Sequence, residues 1–136
     1  MSTHGISMMT FIENVSGEDV TLMIIEDSQG YKFGSFVFDE WKHRKNFYGS
    51  GESFVYTFRN KEDVDVYYGT GFNSMYQYCD HVCVGVGGDK REGRFALYLG
   101  DDFYRGSSTK TMCFENEVLS SKPEFLCVEM EIWGFG

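Results

Sequence analysis

The chain consists of short β-prone segments separated by turn-forming residues, and this pattern constrains its fold more than any other feature. Val20–Glu26 is dominated by β-branched and aliphatic residues, and Ser53–Phe58 carries aromatic residues at alternate positions. Further segments of this kind are Tyr31–Phe38, Val64–Tyr68, Ser74–Tyr78, Val82–Val86, Arg94–Leu99 and Phe125–Trp133. Gly, Asn or acidic residues separate them, and no long amphipathic helix occurs. The pattern favours an antiparallel sandwich or barrel over a parallel βαβ fold.

One segment near the N-terminus has helical rather than strand spacing. Ile6, Met9 and Ile12 follow one another at intervals of three, which predicts one or two helical turns that end before Ser16. No repeat, linker or low-complexity stretch divides the 136 residues. We therefore expect a single domain over residues 1–136, mainly β with an α+β margin and at most short helices.

Acidic residues dominate the charge of the chain. Twelve Lys and Arg residues against 21 Asp and Glu residues give a formal net charge of −9. This balance argues against nucleic-acid binding and against electrostatic docking to anionic membranes. No signal-peptide pattern is seen, and no apolar run approaches the roughly 20 residues that span a bilayer. We therefore expect a cytoplasmic protein without direct membrane insertion, whose four cysteines are reduced thiols.

Cys79, His81 and Cys83 form the densest group of potential metal ligands. Thiolates and imidazole suit zinc, and on a strand the three side chains would share one face. A structural zinc site needs four ligands, however, and no second ligand pair follows at a suitable spacing. We therefore favour two buried thiols and an incidental histidine over a metal site, and we expect no cofactor.

Glycines mark two positions where the backbone needs a special explanation. Gly34 interrupts a β-prone segment, which indicates a bulge or the close approach of another chain. Gly85–Gly93 superficially resembles a phosphate-binding loop, but a predicted strand follows it instead of the required helix. A bulged hairpin connection therefore explains these glycines better.

No arrangement of side chains typical of a catalytic site stands out. Gly49–Gly51 lacks the spacing of a nucleophile elbow, and we interpret it as a turn. Glu129 and Glu131 fall on one face of the last predicted strand and alternate with apolar residues. That alternation is typical of a half-solvated strand, so we interpret both glutamates as solvent-exposed residues rather than a general acid–base pair.

A series of short motifs follows the order found in a known family. The motifs run from His4 to Phe135 and include Leu22–Phe36, Trp41, Tyr48–Tyr56, Tyr68–Asn73, Gly85–Gly88, Phe95–Leu99, Gly106–Ser108, Phe114–Asn116 and Glu131–Phe135. Each motif is weak alone, but their common order is specific. On this basis the chain resembles the TLDc domain, which occurs in oxidation-resistance proteins. The motif positions expected to be structural are Phe33, Gly34, Trp41, Gly49, Gly51, Gly69, Gly87, Gly88, Gly106, Phe114, Asn116, Trp133, Gly134 and Phe135.

The resemblance implies a fold and a class of function. The implied fold is two antiparallel sheets packed as a β-sandwich with short flanking helices. The implied function is protection against oxidative stress together with binding and modulation of the vacuolar proton-pumping ATPase, without an established catalytic mechanism. Acidic surface residues are candidate functional groups in the family, and the matching positions here are Glu52, Asp102 and Glu131.

The chain departs from the family pattern at several positions. Tyr68 and Tyr98 stand where the family has Trp, and Gly100 stands where it has Asp. Thr111 occupies the position of a family cysteine and Cys113 that of a threonine, which argues against carrying over a redox role for that cysteine. The resemblance begins after the family's first helical segment, so we expect an N-terminally short domain that exposes an apolar patch and self-associates.

Two functions from different classes follow from these observations. The leading one is a non-enzymatic protein-interaction domain that binds subunits of the proton-pumping ATPase. The alternative is a thiol-based antioxidant enzyme or scavenger that uses Cys79, Cys83 or Cys113. Such chemistry requires an accessible thiolate of low pKa.

Overall fold

The computed structural model describes residues 8–15, 17–42, 46–58, 63–71, 73–80, 83–88, 95–100 and 102–135. Within these ranges the chain forms one short helix and nine strands. They are α1 (Met8–Val15), β1 (Thr21–Asp27), β2 (Lys32–Val37), β3 (Phe54–Phe58), β4 (Val64–Tyr68), β5 (Gln77–Cys79), β6 (Cys83–Gly88), β7 (Phe95–Gly100), β8 (Arg105–Ser107) and β9 (Glu124–Gly134). Among the described residues α1 is the one helix, and its eight residues are too few to span a bilayer.

The strands form a single antiparallel sheet in the order β4-β3-β2-β1-β9-β8-β7-β6-β5. The mainly β class is therefore confirmed, but the prediction of two sheets packed as a sandwich was wrong. The physical reason is β9, which is 11 residues long. Its first residues pair with β8, as in Arg105 opposite Leu126, and its later residues pair with β1, as in Thr21 opposite Gly134. One strand thus joins the two halves of the sheet, which were expected to form two separate layers.

Both halves of the sheet contribute side chains to one hydrophobic core. Met23 and Ile25 of β1 point inward, while the intervening side chains point outward, as expected for period-two alternation. The rings of Phe33 in β2 and Phe125 in β9 meet edge to face with their centroids 4.8 Å apart. Phe33 lies on β2, which pairs with β1, and Phe125 lies on the part of β9 that pairs with β8. This contact therefore connects the two halves of the sheet within the core.

Helix α1 is held by aromatic packing rather than by its length. The Phe11 ring lies 5.9 Å from that of Trp41 and 5.0 Å from that of Phe103, measured between centroids. The Trp41 indole N–H donates a hydrogen bond of 3.0 Å to the Thr21 hydroxyl on β1. An eight-residue helix is marginal by itself, so these contacts stabilise it.

Gly34 lies in a regular part of the sheet. It pairs with Ile24 on one side and Tyr56 on the other without a shift in register, so the predicted bulge was wrong. The close approach comes from a neighbouring strand of the same chain. The Tyr56 hydroxyl passes over Gly34 and donates a hydrogen bond of 2.8 Å to the Met23 carbonyl. A Cβ at position 34 would overlap the Met23 backbone carbonyl, its nearest neighbour, and would lie 2.7 Å from the Tyr56 hydroxyl, so glycine provides the necessary space.

Candidate interaction surface

A row of apolar side chains crosses the outer face of five neighbouring strands. Strand register places them opposite one another in the order Tyr68, Phe54, Phe36, Leu22 and Trp133. The rings of Phe36 and Phe54 stack almost parallel with centroids 5.3 Å apart, and Tyr68 lies 5.5 Å from Phe54. Side chains in register on one face interact most strongly with their cross-strand partners, so the row forms one continuous ladder.

Two further aromatic residues extend this row. The rings of Phe38 and Phe135 lie 5.1 Å and 5.9 Å from the ring of Phe36. We call the resulting surface the aromatic face; it consists of Leu22, Phe36, Phe38, Phe54, Tyr68, Trp133 and Phe135. Its outermost members are open to solvent, with exposed fractions of 65% for Tyr68, 52% for Trp133 and 54% for Phe135. Contiguous apolar surface of this kind marks sites of association.

The origin of the aromatic face lies in strands that are apolar on both sides. In β2, Phe33 and Val37 point into the core while Phe36 points outward. In β1, Leu22 and Ile24 occupy the outward positions and are half-buried. A sheet with one solvated face carries polar residues at such positions. The sequence analysis expected an exposed apolar patch but assigned no residues to it, although apolar residues at successive positions of β1 and β2 were the available signal.

Carboxylates border the aromatic face on its β9 side. Glu129 and Glu131 are exposed and share the outward face with Trp133, which confirms that both glutamates are solvent-accessible. Strand pairing places Glu26 of β1 directly opposite Glu129. Lys32 of β2 lies on the other side of Glu26. Three carboxylates and one ammonium group therefore give this border a formal charge of −3 + 1 = −2.

The three acidic positions suggested by the family resemblance occupy different elements. Glu131 lies on the aromatic-face side of β9, and Glu52 lies in the exposed turn before β3. Asp102 lies in the turn between β7 and β8, in the other half of the sheet. Its carboxylate accepts hydrogen bonds from the backbone N–H groups of Tyr104, at 2.9 Å, and Arg105, at 3.2 Å. These bonds lower the pKa of Asp102 and give it a role in forming the turn.

The cysteines are buried and poorly suited to thiolate chemistry. Burial raises the pKa of Cys79, Cys83 and Cys113 to about 12. The negative charge of Asp80 contributes further to this effect at Cys79 and Cys83. Cys113 is packed in the core, where its thiol donates to the Met75 carbonyl at 3.5 Å. A reactive thiol needs the opposite environment, one that stabilises the thiolate.

The candidate zinc ligands do not lie on one strand. Strand β5 ends at Cys79 and β6 begins at Cys83, so the condition under which residues 79, 81 and 83 would share a strand face is not met. The connecting residue His81 lies outside the described residues, as do residues 89–93 of the predicted bulged connection, whose first part, Gly85–Gly88, belongs to β6. Among the residues that are described, no group of three or more His, Cys, Asp or Glu side chains is placed to hold a metal ion.

A cavity of about 640 Å³ opens beside the β1–β2 turn, β8 and the start of β9. Asp27 lies in its wall and is buried. The Asp27 carboxylate accepts hydrogen bonds from two backbone N–H groups of the β1–β2 turn, both at 2.9 Å, and from the Ser120 hydroxyl. Through these hydrogen bonds Asp27 connects the β1–β2 turn to the segment before β9, so its role is structural.

The remaining family-motif positions are mostly packed inside the domain. Phe33, Trp41, Phe114 and Asn116 are buried. Gly49 and Gly87 have positive φ angles of 110° and 70°, which favour glycine. Positions where a Cβ would crowd a neighbouring ring, side chain or carbonyl include Gly51, Gly69, Gly88, Gly106 and Gly134. Among the motif positions, Trp133 and Phe135 stand out because they are large, apolar and exposed.

Comparison with known proteins gives these features a family context. The model of the TLDc domain matches residues 1–136. Oxidation resistance protein 1 from Rattus norvegicus and from Homo sapiens is 38% identical over 133 residues. Nuclear receptor coactivator 7 from Homo sapiens is 33% identical over 133 residues. These alignments cover 97% of this chain but only 14–15% of each relative, so the chain spans about one seventh of their length. The resemblance drawn from the motifs is thereby confirmed, and the chain belongs to the TLDc domain family.

Proposed function

We propose that this TLDc domain is a non-enzymatic protein-interaction domain that contributes to oxidation resistance by binding and modulating the vacuolar proton-pumping ATPase. The link to oxidation resistance comes from the names of its relatives. The choice of the proton-pumping ATPase as the partner rests on the family resemblance of the sequence motifs. The observation that carries the interaction role is the aromatic face, where Trp133 and Phe135 are more than half exposed.

Exposed aromatic residues suit a binding role for a physical reason. Trp and Tyr supply a large contact area with few rotatable bonds, so their immobilisation at an interface costs little entropy. On this domain the inner members of the row, Phe36 and Phe54, are half-buried and stacked, which holds the surface in shape before a partner arrives. A preformed surface binds without the free-energy cost of ordering it.

The thiol-based alternative has less support. A thiol of pKa about 12, as for Cys79, is ionised to about one part in 10⁵ at pH 7, so little nucleophile is present. Peroxide consumption by the purified domain, compared with that of a variant with all four cysteines replaced by serine, separates the two functions. We expect equal and negligible rates. A clearly faster wild-type rate would favour the thiol function instead.

Binding to the purified cytosolic sector of the proton-pumping ATPase tests the proposal directly. Co-sedimentation at low salt should retain the wild-type domain, and the rate of ATP hydrolysis should change when the domain is added. Trp133→Ser combined with Phe135→Ser should weaken retention at least tenfold because it removes two exposed aromatic side chains. Tyr104→Ser is the matched control, because Tyr104 is 42% exposed in the β7–β8 turn, away from the aromatic face. Failure of the folded wild-type domain to bind would refute the proposal.

A further inference from the structure

The aromatic face is apolar along its row and acidic at its border, and this difference defines the chemistry of its occupant. We infer that it docks a basic amphipathic segment of a partner protein. The apolar side chains of that segment cover Phe36, Phe54 and Trp133, and its Lys or Arg residues lie over the glutamates of β9 and β1. This inference rests on the proposed function, because it assumes that the domain acts by binding a protein, and it adds the identity of the surface and the chemistry of the partner.

The size of the row sets the length of the segment. The row crosses five strands, from Tyr68 on β4 to Trp133 on β9. With neighbouring strands about 4.8 Å apart, its length is about 19 Å. A helix covers that distance with about 13 residues, and an extended chain covers it with about six. A single short segment is therefore sufficient to fill the row.

The border of the row provides the charge complementarity. Glu26 and Glu129 lie directly opposite each other across the β1–β9 pair, an arrangement of like charges that destabilises a sheet. Glu131 follows on the same face, two residues before Trp133. Lys32 lies on the other side of Glu26 and leaves this border with a formal charge of −2, so a cation placed over Glu129 and Glu131 relieves the remaining repulsion at the same time as the apolar row is covered. The apolar side chains of the occupant thus lie over Phe36, Phe54 and Trp133, and its basic side chains extend along β9 from Trp133 toward Glu131 and Glu129.

The same charges argue against other occupants of the aromatic face. Two copies of a chain of net charge −9 meeting through this face would bring their glutamates into proximity. Anionic membranes and nucleic acids would meet the same repulsion from Glu129 and Glu131. The face therefore suits a protein segment that is both apolar and positively charged.

Two synthetic peptides of identical apolar pattern provide the probe, one carrying Lys and Arg on its polar side and the other Glu and Asp. The chain has two tryptophans, and Trp41 is only 1% exposed, so a change in fluorescence on binding reports on Trp133. We expect the basic peptide to shift the emission to shorter wavelength with saturation, and to bind more weakly as salt is raised. The acidic peptide should bind at least tenfold more weakly.

Variants of the glutamates and of Phe135 then identify the surface that the peptide contacts. Glu129→Gln combined with Glu131→Gln should weaken binding of the basic peptide about tenfold. Glu115→Gln combined with Glu124→Gln is the matched control and should leave the affinity for this peptide unchanged. Phe135→Ser should weaken both peptides and retain the Trp133 signal. All four replaced glutamates are solvent-exposed, and glutamine has nearly the same shape as glutamate. Urea unfolding confirms that each variant is folded.

Several results would overturn the inference. These are equal binding of the two peptides, no binding of either, dimerisation by sedimentation that Phe135→Ser abolishes, and binding to vesicles of phosphatidylserine and phosphatidylcholine that Phe135→Ser abolishes. If the pump sector binds wild type and Glu129→Gln/Glu131→Gln equally well, the proposed function survives and the inference fails. If the basic peptide binds as expected while the pump sector does not, the inference survives and the choice of pump fails.

Discussion

Replacing Gly34 with alanine should destabilise this domain, although alanine is ordinarily the more favourable residue within a strand. The ordinary change gains roughly 0.5–1 kcal/mol because glycine loses more conformational entropy on folding. Here the new Cβ would overlap the Met23 backbone carbonyl, which is its nearest neighbour, and would lie 2.7 Å from the Tyr56 hydroxyl, so β1 and Tyr56 would both have to shift. Tyr56 would have to move, and its buried hydrogen bond of 2.8 Å to Met23 would be lost.

The expected cost follows from these contacts. Loss of the hydrogen bond costs about 1 kcal/mol, and the crowding costs about 1–3 kcal/mol. Subtracting the entropic gain leaves a net loss of about 1–3 kcal/mol in the free energy of unfolding. Equilibrium unfolding in urea, followed by circular dichroism, measures this loss as a lower midpoint with an unchanged slope.

A double-mutant cycle with Tyr56→Phe identifies the cause. Tyr56→Phe removes the hydroxyl alone and should cost about 1 kcal/mol. In that background Gly34→Ala should cost about 1 kcal/mol less than in wild type, because no hydrogen bond is left to break. A Gly34→Ala variant at least as stable as wild type, or strictly additive costs, would refute the explanation of this glycine by the Tyr56 contact.

Three further predictions concern buried and turn-forming side chains. Asp27→Ala removes the acceptor of three hydrogen bonds and should lower the free energy of unfolding by about 2–4 kcal/mol. Ser120→Ala removes one of these bonds and should cost about 1 kcal/mol. Equal losses for the two variants in urea unfolding would contradict the role assigned to Asp27. The four buried thiols should react with an aromatic disulfide reagent far more slowly in the native domain than in urea at pH 8, because three of them have pKa values of about 12; rapid native labelling would show that they are accessible. Because the pKa of Asp102 is lowered on folding, its carboxylate stabilises the fold above its unfolded pKa of roughly 3.9, and this contribution is lost as the pH falls through the lower folded value. Asp102→Asn should therefore cost a small amount, about 0.5 kcal/mol, at pH 7, with the difference vanishing in acid; a loss independent of pH would point to a steric effect instead.

Local patterns in the sequence predicted most strands. Val64–Tyr68 was predicted with the bounds that the structure shows, and the predicted Phe125–Trp133 segment lies within β9. These segments carry their own signal, because alternation and β-branched residues act over a few positions. Strand β8 was missed because Arg105–Ser107 has no such pattern. Pairing with β7 and β9 on its two sides holds it in place instead.

The arrangement of strands and the candidate surface depend on contacts between distant residues. Two separate sheets were expected from the family resemblance, and nothing in the residues of β9 indicates that Leu126 pairs with β8 while Trp133 pairs with β1. The aromatic row likewise draws on five strands, and only their register brings Tyr68, Phe54 and Phe36 into line. The family motifs included Glu131, Trp133 and Phe135, but both aromatic residues were expected to be structural, and nothing indicated that they share a surface with the rest of the row.

The position of β9 has a consequence for how the domain reaches its native state during synthesis. The ribosome delivers this strand after the eight others, yet it occupies the place between β1 and β8. Until it emerges, a nascent chain presents two unpaired strand edges, each a template for pairing with another polypeptide. Completion of the domain is thus delayed until β9 has been synthesised, and chaperones that shield such edges should increase the yield before that point.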